Sequence, residues 1–245
     1  MKVLVIDIGG TSVKILASGQ TQRRKFPSGK GMTPCMMVAG VKELAKDWEY
    51  DVVSIGYPGP VRHGRPAAEP HNLAKGWVGF DFQAAFGCPV KMINDAAMQA
   101  LGSYRGGTML FLGLGTGLGA ALVVDGTLVP LELGHLSIAK KTFEDDLGAC
   151  GIERLGRNKW QKRVAATTER FVSALLLDDV VLGGGNAKKL RKLPQGARMG
   201  DNANAFLGGF RLWEGAKSAD STGVAARIDR PCAPMQQGSL TASNA

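Results

Sequence analysis

The sequence predicts an α/β fold of two similar domains, and three features carry that prediction. Apolar runs of strand length alternate with stretches of helical periodicity. One order of elements (strand, hairpin, strand, strand, then helix, then strand) occurs twice, as a structural rather than a residue-level repeat. Two glycine-rich turns, IDIGGTSVK at 6–14 and GLGTGLGAAL at 113–122, stand at matching places in the two rounds. The expected domains are 1–105 and 106–217, meeting at a cleft near residue 106. Residues 218–245 lose all periodicity and are expected to be a disordered, functionally silent tail.

Each element has a local reason. Residues 2–8 form an apolar run that reads as a buried strand, SVKILAS returns from the Gly-Gly turn, and TQRRKF adds a third strand. Thr33-Pro34 is a helix start, a capping hydroxyl followed by proline, and opens a helix to about Trp48. DVVSIGYP is a strand stopped by Pro58-Gly59-Pro60, and a long loop follows over 60–80. PVKMIND is the next strand, with the helix AAMQALGSY leaving its C-terminal end. The second round begins near 107 with three strands, the last two joined at Asp125-Gly126. Helical periodicity then runs to about 177. DDVVLGG is a strand, a helix opens at Asn186, and the last helix covers about 202–214.

Composition narrows the function classes. With 245 residues, 44% hydrophobic and 21% charged, the chain can bury a substantial core. It has no run long and apolar enough to span a bilayer and no secretory signal pattern, so it is expected in the cytoplasm, without a membrane partner. Cys35, Cys88, Cys150 and Cys232 form no CxxC pair, which argues against zinc and against a disulfide framework. With only three histidines, metal chemistry falls to oxygen ligands, which suits Mg²⁺. The net charge of +9 favours polyanions generally. The only dense basic cluster is KKLRK at 188–192, and no basic region is interleaved with aromatics, so a specific nucleic-acid partner is not expected.

The glycine turns carry the chemistry. Residues 115–120 satisfy GxGxxA, but a dinucleotide site needs that motif between a strand and a helix. Here AALVVDG follows, a strand ending in a hairpin, so that reading fails. What remains at both places is a hairpin whose turn bares backbone N–H groups to an anion. Gly9-Gly10 with Asp7 as a turn cap would explain the first turn alone. Two matched turns facing across a cleft would instead clamp a chain of phosphates. Asp7 would then hold Mg²⁺ through water beside the transferred group. INDAAMQA delivers Asn94 and Asp95 at the carboxyl end of a strand, as a helix cap, a catalytic pair or both. PLELGHLSI places Glu132 and His135 after another strand. VVLGGGNAKKL ends a strand in Gly183, Gly184 and Gly185 before Asn186, either a tight turn or a surface for adenosine at a helix N-terminus.

Taken together these motifs resemble the actin-like sugar-kinase superfamily, a ribonuclease H-like fold with its active site in the interdomain cleft, and within it the ROK sugar kinases. The likeness runs from residue 1 to about 214. DIGGTSVK is similar to the first phosphate motif, IND to the catalytic-aspartate segment, LGLGTGLGAAL to the second phosphate motif, ELGH to the sugar-binding ExGH and VVLGGGNAKKL to the adenosine motif. In size, and in its ELGH and GDN…GG patterns, the chain is most similar to the polyphosphate glucokinases of that family. The resemblance implies a homodimeric glucokinase that uses Mg²⁺ and ATP or polyphosphate. Asp95 would be the general base on the sugar 6-hydroxyl, and Asn94, Glu132 and His135, with Glu153 of CGIERLG, would bind sugar hydroxyls. Gly9, Gly10, Thr11 and Lys14 would hold phosphate with Gly115, Thr116 and Gly117. Gly183, Gly184, Gly185 and Asn186 would hold a nucleotide. Most ROK proteins carry a cysteine-rich zinc motif after GH; here Cys150 stands alone, so no zinc is expected. The first strand begins at Met1, so a repressor role, with its N-terminal helix-turn-helix, is not expected. The alternative is a non-catalytic sugar- or polyphosphate-binding regulator on the same fold.

Overall fold

The computed structural model describes residues 1–138 and 140–214. β1 (Val3–Ile8) is buried along its whole length, as a run covered on both faces must be. The turn at 9–12 returns the chain as β2 (Ser12–Ala17), where burial alternates, and β3 (Arg24–Pro27) completes the meander. Thr33 caps α1 (Pro34–Leu44) by accepting the Met36 N–H. β4 (Val52–Tyr57) runs parallel beside β1. The next loop carries a small hairpin, β5 (Val61–Arg62) with β6 (Arg65–Pro66), then α2 (Phe82–Phe86). β7 (Val90–Asn94) lies parallel to β4 and leads straight into α3 (Asp95–Ser103).

The second round repeats the plan. β8 (Thr108–Leu114), β9 (Leu118–Val124) and β10 (Thr127–Leu131) form an antiparallel meander. A 3₁₀ turn at Leu133–His135 and the hairpin β11 (Ser137–Ile138) with β12 (Lys141–Thr142) lead to α4 (Phe143–Leu147), α5 (Ala149–Leu155) and α6 (Arg157–Leu175). β13 (Asp179–Gly183) returns parallel to β8, β14 (Ala197–Met199) lies parallel to β13, and α7 (Asn204–Arg211) closes the described chain. The two large sheets have the orders β3-β2-β1-β4-β7 and β10-β9-β8-β13-β14, the same topology twice. In each, the parallel strands bring their carboxyl ends to one edge, where α/β sheets place ligands.

Between the sheets lie α3 and α7. Ala96, Ala97 and Ala100 of α3 pack on Met109, Phe111, Ala121, Val123 and Val181 of the second sheet. Ala205 and Phe206 of α7 join Met98 of α3 against Val3, Val5 and Val52 of the first. The two helices approach so closely that a methyl at Gly102 would overlap the Asn204 carbonyl, and one at Gly208 the Met98 carbonyl. Glycine is therefore obligatory at both positions. Ser54 of β4 fixes α7 further, donating to the Gly209 carbonyl at 2.6 Å and accepting from Trp213 Nε1 at 2.9 Å.

Four expectations need correction. α1 ends at Leu44 rather than near Trp48. The stretch read as helical to 177 opens with a 3₁₀ turn and the β11–β12 hairpin and then holds three helices, broken at Gly148 and Gly156, with Gly156 at a positive φ of 72°. No α-helix opens at Asn186: a 3₁₀ turn, Ala187–Lys189, ends at Leu190. A helix there would stack Lys188 on Arg191 and Lys192, like charges at three and four residues, and Pro194 stops it in any case. The last helix is shorter, 204–211. The tail at 218–245 lies outside the described residues. Among those described, no helix is long and apolar enough to cross a membrane.

Candidate active site

The first turn exposes what a phosphate needs. Gly9 N–H donates to the Ser12 carbonyl at 3.0 Å, which puts Gly10 and Thr11, not Gly9 and Gly10, at the tip. Neither glycine has a positive φ, so they serve access rather than a left-handed turn. The Gly9 carbonyl accepts from Ser28 Oγ and the Thr11 carbonyl from Ser28 N–H at 3.1 Å. The N–H groups of Gly10 and Thr11 have no protein acceptor among the described residues.

The second turn has the same construction. The Gly115 carbonyl accepts from Asn186 Nδ2 at 2.7 Å, the Thr116 carbonyl from Ala149 N–H at 3.0 Å, and the Gly117 carbonyl from Gly115 N–H at 3.1 Å. The N–H groups of Thr116 and Gly117 have no acceptor among the described residues. Carbonyls tied inward with free N–H groups make a concavity of positive partial charge. Glu144 supports this turn, accepting the Leu118 N–H at 3.2 Å, and a methyl on Gly117 would overlap its carboxylate. Sequence reasoning missed Glu144, because the contact joins α4 to a turn 26 residues earlier in the chain.

Between the turns sits Asp95. Asn94 ends β7 and caps α3, its Oδ1 accepting from Ala96 and Ala97 N–H and its Nδ2 donating to the Gly59 carbonyl at 3.0 Å. Most of its polar capacity is thus spent on structure. Asp95 follows as the first helical residue, accepting the Ala96 N–H at 2.8 Å. Gly56 brings the first sheet to it: this residue pairs with Asp7 across β1 and β4, and its α-carbon faces the Asp95 backbone. Ala96 brings the second, since its Cβ lies against Gly113 and Gly119 on either side of the second turn. The Asp95 carboxyl is pushed up to about 7, first by burial, then by the charge of Asp7 and more weakly that of Glu132, against the pull of the Ala96 N–H.

Asp7 is itself buried, and Lys14 donates to its Oδ2 at 2.8 Å from the directly opposed position on β2. Lys14 therefore neutralises Asp7 rather than standing free for phosphate. Asp7 is a hard oxygen donor beside the first turn, which fits Mg²⁺ carried on a phosphate chain. No group of three or more metal-binding side chains gathers among the described residues. Glu132 and His135 are exposed on the 3₁₀ turn after β10, held to β9 because a side chain at Gly134 would press on the Leu118 carbonyl. Glu153 lies elsewhere, in a surface groove of about 610 Å³ lined by Lys140, Lys141, Asp145, Cys150 and Arg154.

Gly183 and Gly184 are closed in, a methyl on the first meeting Phe111 and on the second the Leu114 backbone. Gly185 faces open space, and Asn186 is held by Gly115 and Leu114. The segment 183–186 is thus anchored to the second glycine turn.

This arrangement has relatives. A polyphosphate glucokinase of Mycobacterium tuberculosis is 29% identical over 211 residues, 76% of this chain and 78% of its own. An N-acetylmannosamine kinase of Salmonella paratyphi A is 30% identical over 207 residues, 78% of this chain and 68% of its own. The crystal structure of an inorganic polyphosphate/ATP-glucomannokinase from an Arthrobacter species superposes with a TM-score of 0.71 at 26% identity, covering 85% of this chain and 96% of that one. The fold is the actin-like ATPase fold of the ROK sugar kinases. The description "ROK family" matches residues 3–154, and the chain belongs to the ROK family.

Proposed function

We propose that the protein is a sugar kinase that transfers a terminal phosphoryl group from polyphosphate or ATP to the 6-hydroxyl of glucose. The observation that carries this reading is the pair of glycine turns, both with free N–H groups, placed on either side of Asp95. The N–H groups of Gly10, Thr11, Thr116 and Gly117 hold the donor's phosphate oxygens and stabilise charge that develops as the bond to the leaving phosphate breaks. Asp95, poised near neutral pH, takes the proton from the attacking hydroxyl as its oxygen bonds to phosphorus, and the shortened donor departs. Asn94, Glu132 and His135 orient the sugar, and domains 1–105 and 106–217 close on it and expel water. Mg²⁺, held by Asp7 through water, would neutralise donor oxygens, and Lys14 holds that carboxylate in place. Gly183, Gly184, Gly185 and Asn186 receive the adenosine when ATP is the donor. The working form is a cytoplasmic homodimer.

A non-catalytic sugar- or polyphosphate-binding regulator is the second reading. It is favoured by the Asp7–Lys14 ion pair, which already satisfies the carboxylate that the metal needs. Glucose 6-phosphate formation with Mg²⁺, measured in parallel with ATP and with long-chain polyphosphate, separates the two. Turnover with either donor supports the kinase, and no turnover with any hexose despite measurable sugar binding supports the regulator.

A further inference from the structure

The basic segment after Asn186 is not a loose surface loop. It starts at the second glycine turn, where Asn186 Nδ2 donates to the Gly115 carbonyl and Asn186 N–H to the Leu114 carbonyl at 2.8 Å. It is then pinned to α6 at two points. Arg157 Nε donates to the Lys189 carbonyl at 2.7 Å, and Gln161 Oε1 accepts the Arg191 N–H at 2.6 Å. Residues 157–168 and 186–192 together hold eight cations and no carboxylate. Those cations are all exposed, and among the described residues only Arg163 has an acidic partner, Asp146 at 3.3 Å. Lys159, Lys162 and Arg163 line a groove of about 320 Å³ along α6. Packing unpaired cations side by side costs stability. The pinning bonds hold them there nonetheless.

Resting on the kinase reading, we propose that this surface is a track for the distal phosphates of a long linear polyphosphate whose reacting end lies at the second glycine turn. A chain leaving that turn meets Asn186 and then Lys188, Lys189, Arg191 and Lys192 within seven residues, before the α6 cations. A nucleoside triphosphate ends too soon to use them, and its adenosine is neutral. A nucleic acid would want bases stacked on aromatic rings. Here Trp160 and Phe171 of α6 are buried, and no aromatic side chain is among the exposed large hydrophobic residues described.

The test is equilibrium binding of long-chain polyphosphate and of inorganic triphosphate, without sugar, over a range of salt. The variant K188Q/K189Q/R191Q/K192Q is compared with a control of equal charge change elsewhere, K42Q/K46Q/R62Q/R65Q. The track variant should bind the long chain at least about tenfold more weakly at moderate salt, with a log–log salt slope shallower by roughly four, while triphosphate binding stays within about twofold. In turnover, KM for long-chain polyphosphate should rise by the same factor, with kcat and KM for ATP unchanged. Equal losses in the two variants, or an equal loss of triphosphate, would overturn the track. So would an oligonucleotide of matched charge that binds as tightly as polyphosphate and is lost in parallel. Absence of turnover with every donor, alongside intact and track-dependent polyphosphate binding, would sink the kinase reading and leave the track standing.

Discussion

Replacing Asp95 with Asn should make the protein more stable and inactive, and the stability gain should depend on pH. Folding raises the carboxyl from its ordinary 3.8 to about 7. Between those values the native state holds a proton that the unfolded chain has released. Stability contributed by the neutral group is therefore complete below about pH 4 and falls as pH rises toward 7, then levels off. At 1.36 kcal/mol per unit, the shift amounts to about 4 kcal/mol above pH 7, as a ceiling. Asn keeps the acceptor for the Ala96 N–H but carries no charge, so it escapes the penalty while losing the favourable acid in the first helical turn, about 0.3–1 kcal/mol. Urea unfolding of both proteins at pH 5, 6, 7 and 8 reads this directly. The variant's lead should grow by roughly 2–3 kcal/mol between pH 5 and pH 8. The same carboxyl sets an acid limb in kcat/KM, rising with pH through about 7, and the variant should lose several orders of magnitude in kcat with sugar binding retained. A gap between the two proteins that stays constant with pH, or near-normal turnover by the variant, would refute the reasoning.

Three further substitutions test the frame around the site. Gly208→Ala places a methyl on the Met98 carbonyl of α3, a backbone group that cannot swing away, and should cost about 3 kcal/mol or more in chemical denaturation. Gly117→Ala should raise KM for the phosphoryl donor at least tenfold while sugar affinity, measured by calorimetry, stays the same, because its methyl displaces the Glu144 carboxylate that holds the turn. Asn94→Ala removes the cap of α3 and the bond to the Gly59 carbonyl together, and should lower stability by about 1–2 kcal/mol; an unchanged unfolding midpoint would mean the cap carries nothing.

The sequence by itself determined the local geometry. Apolar runs the length of one strand, ending in glycine, can only be buried strands with tight returns, so the two meanders and their glycine turns were legible, as was Asp95 at the end of a strand. It also misled where local pattern met unseen context. Asn186 read as a helix start, yet like-charge repulsion among Lys188, Arg191 and Lys192 and the stop at Pro194 leave only a 3₁₀ turn. What only the tertiary structure decided depends on contacts far apart in the chain. Lys14 neutralises Asp7 because the β1–β2 register sets them opposite each other. The Asp95 carboxyl reaches about 7 because folding withdraws it in part from water and brings the charges of Asp7 and Glu132 near, 88 and 37 residues away in sequence. The free N–H groups of the turns acquire direction only because Ser28, Ala149 and Asn186 hold the carbonyls on the other side. Periodicity reports which face of an element is buried. Which two faces meet is settled by packing, and the chemistry of this site arises where they meet.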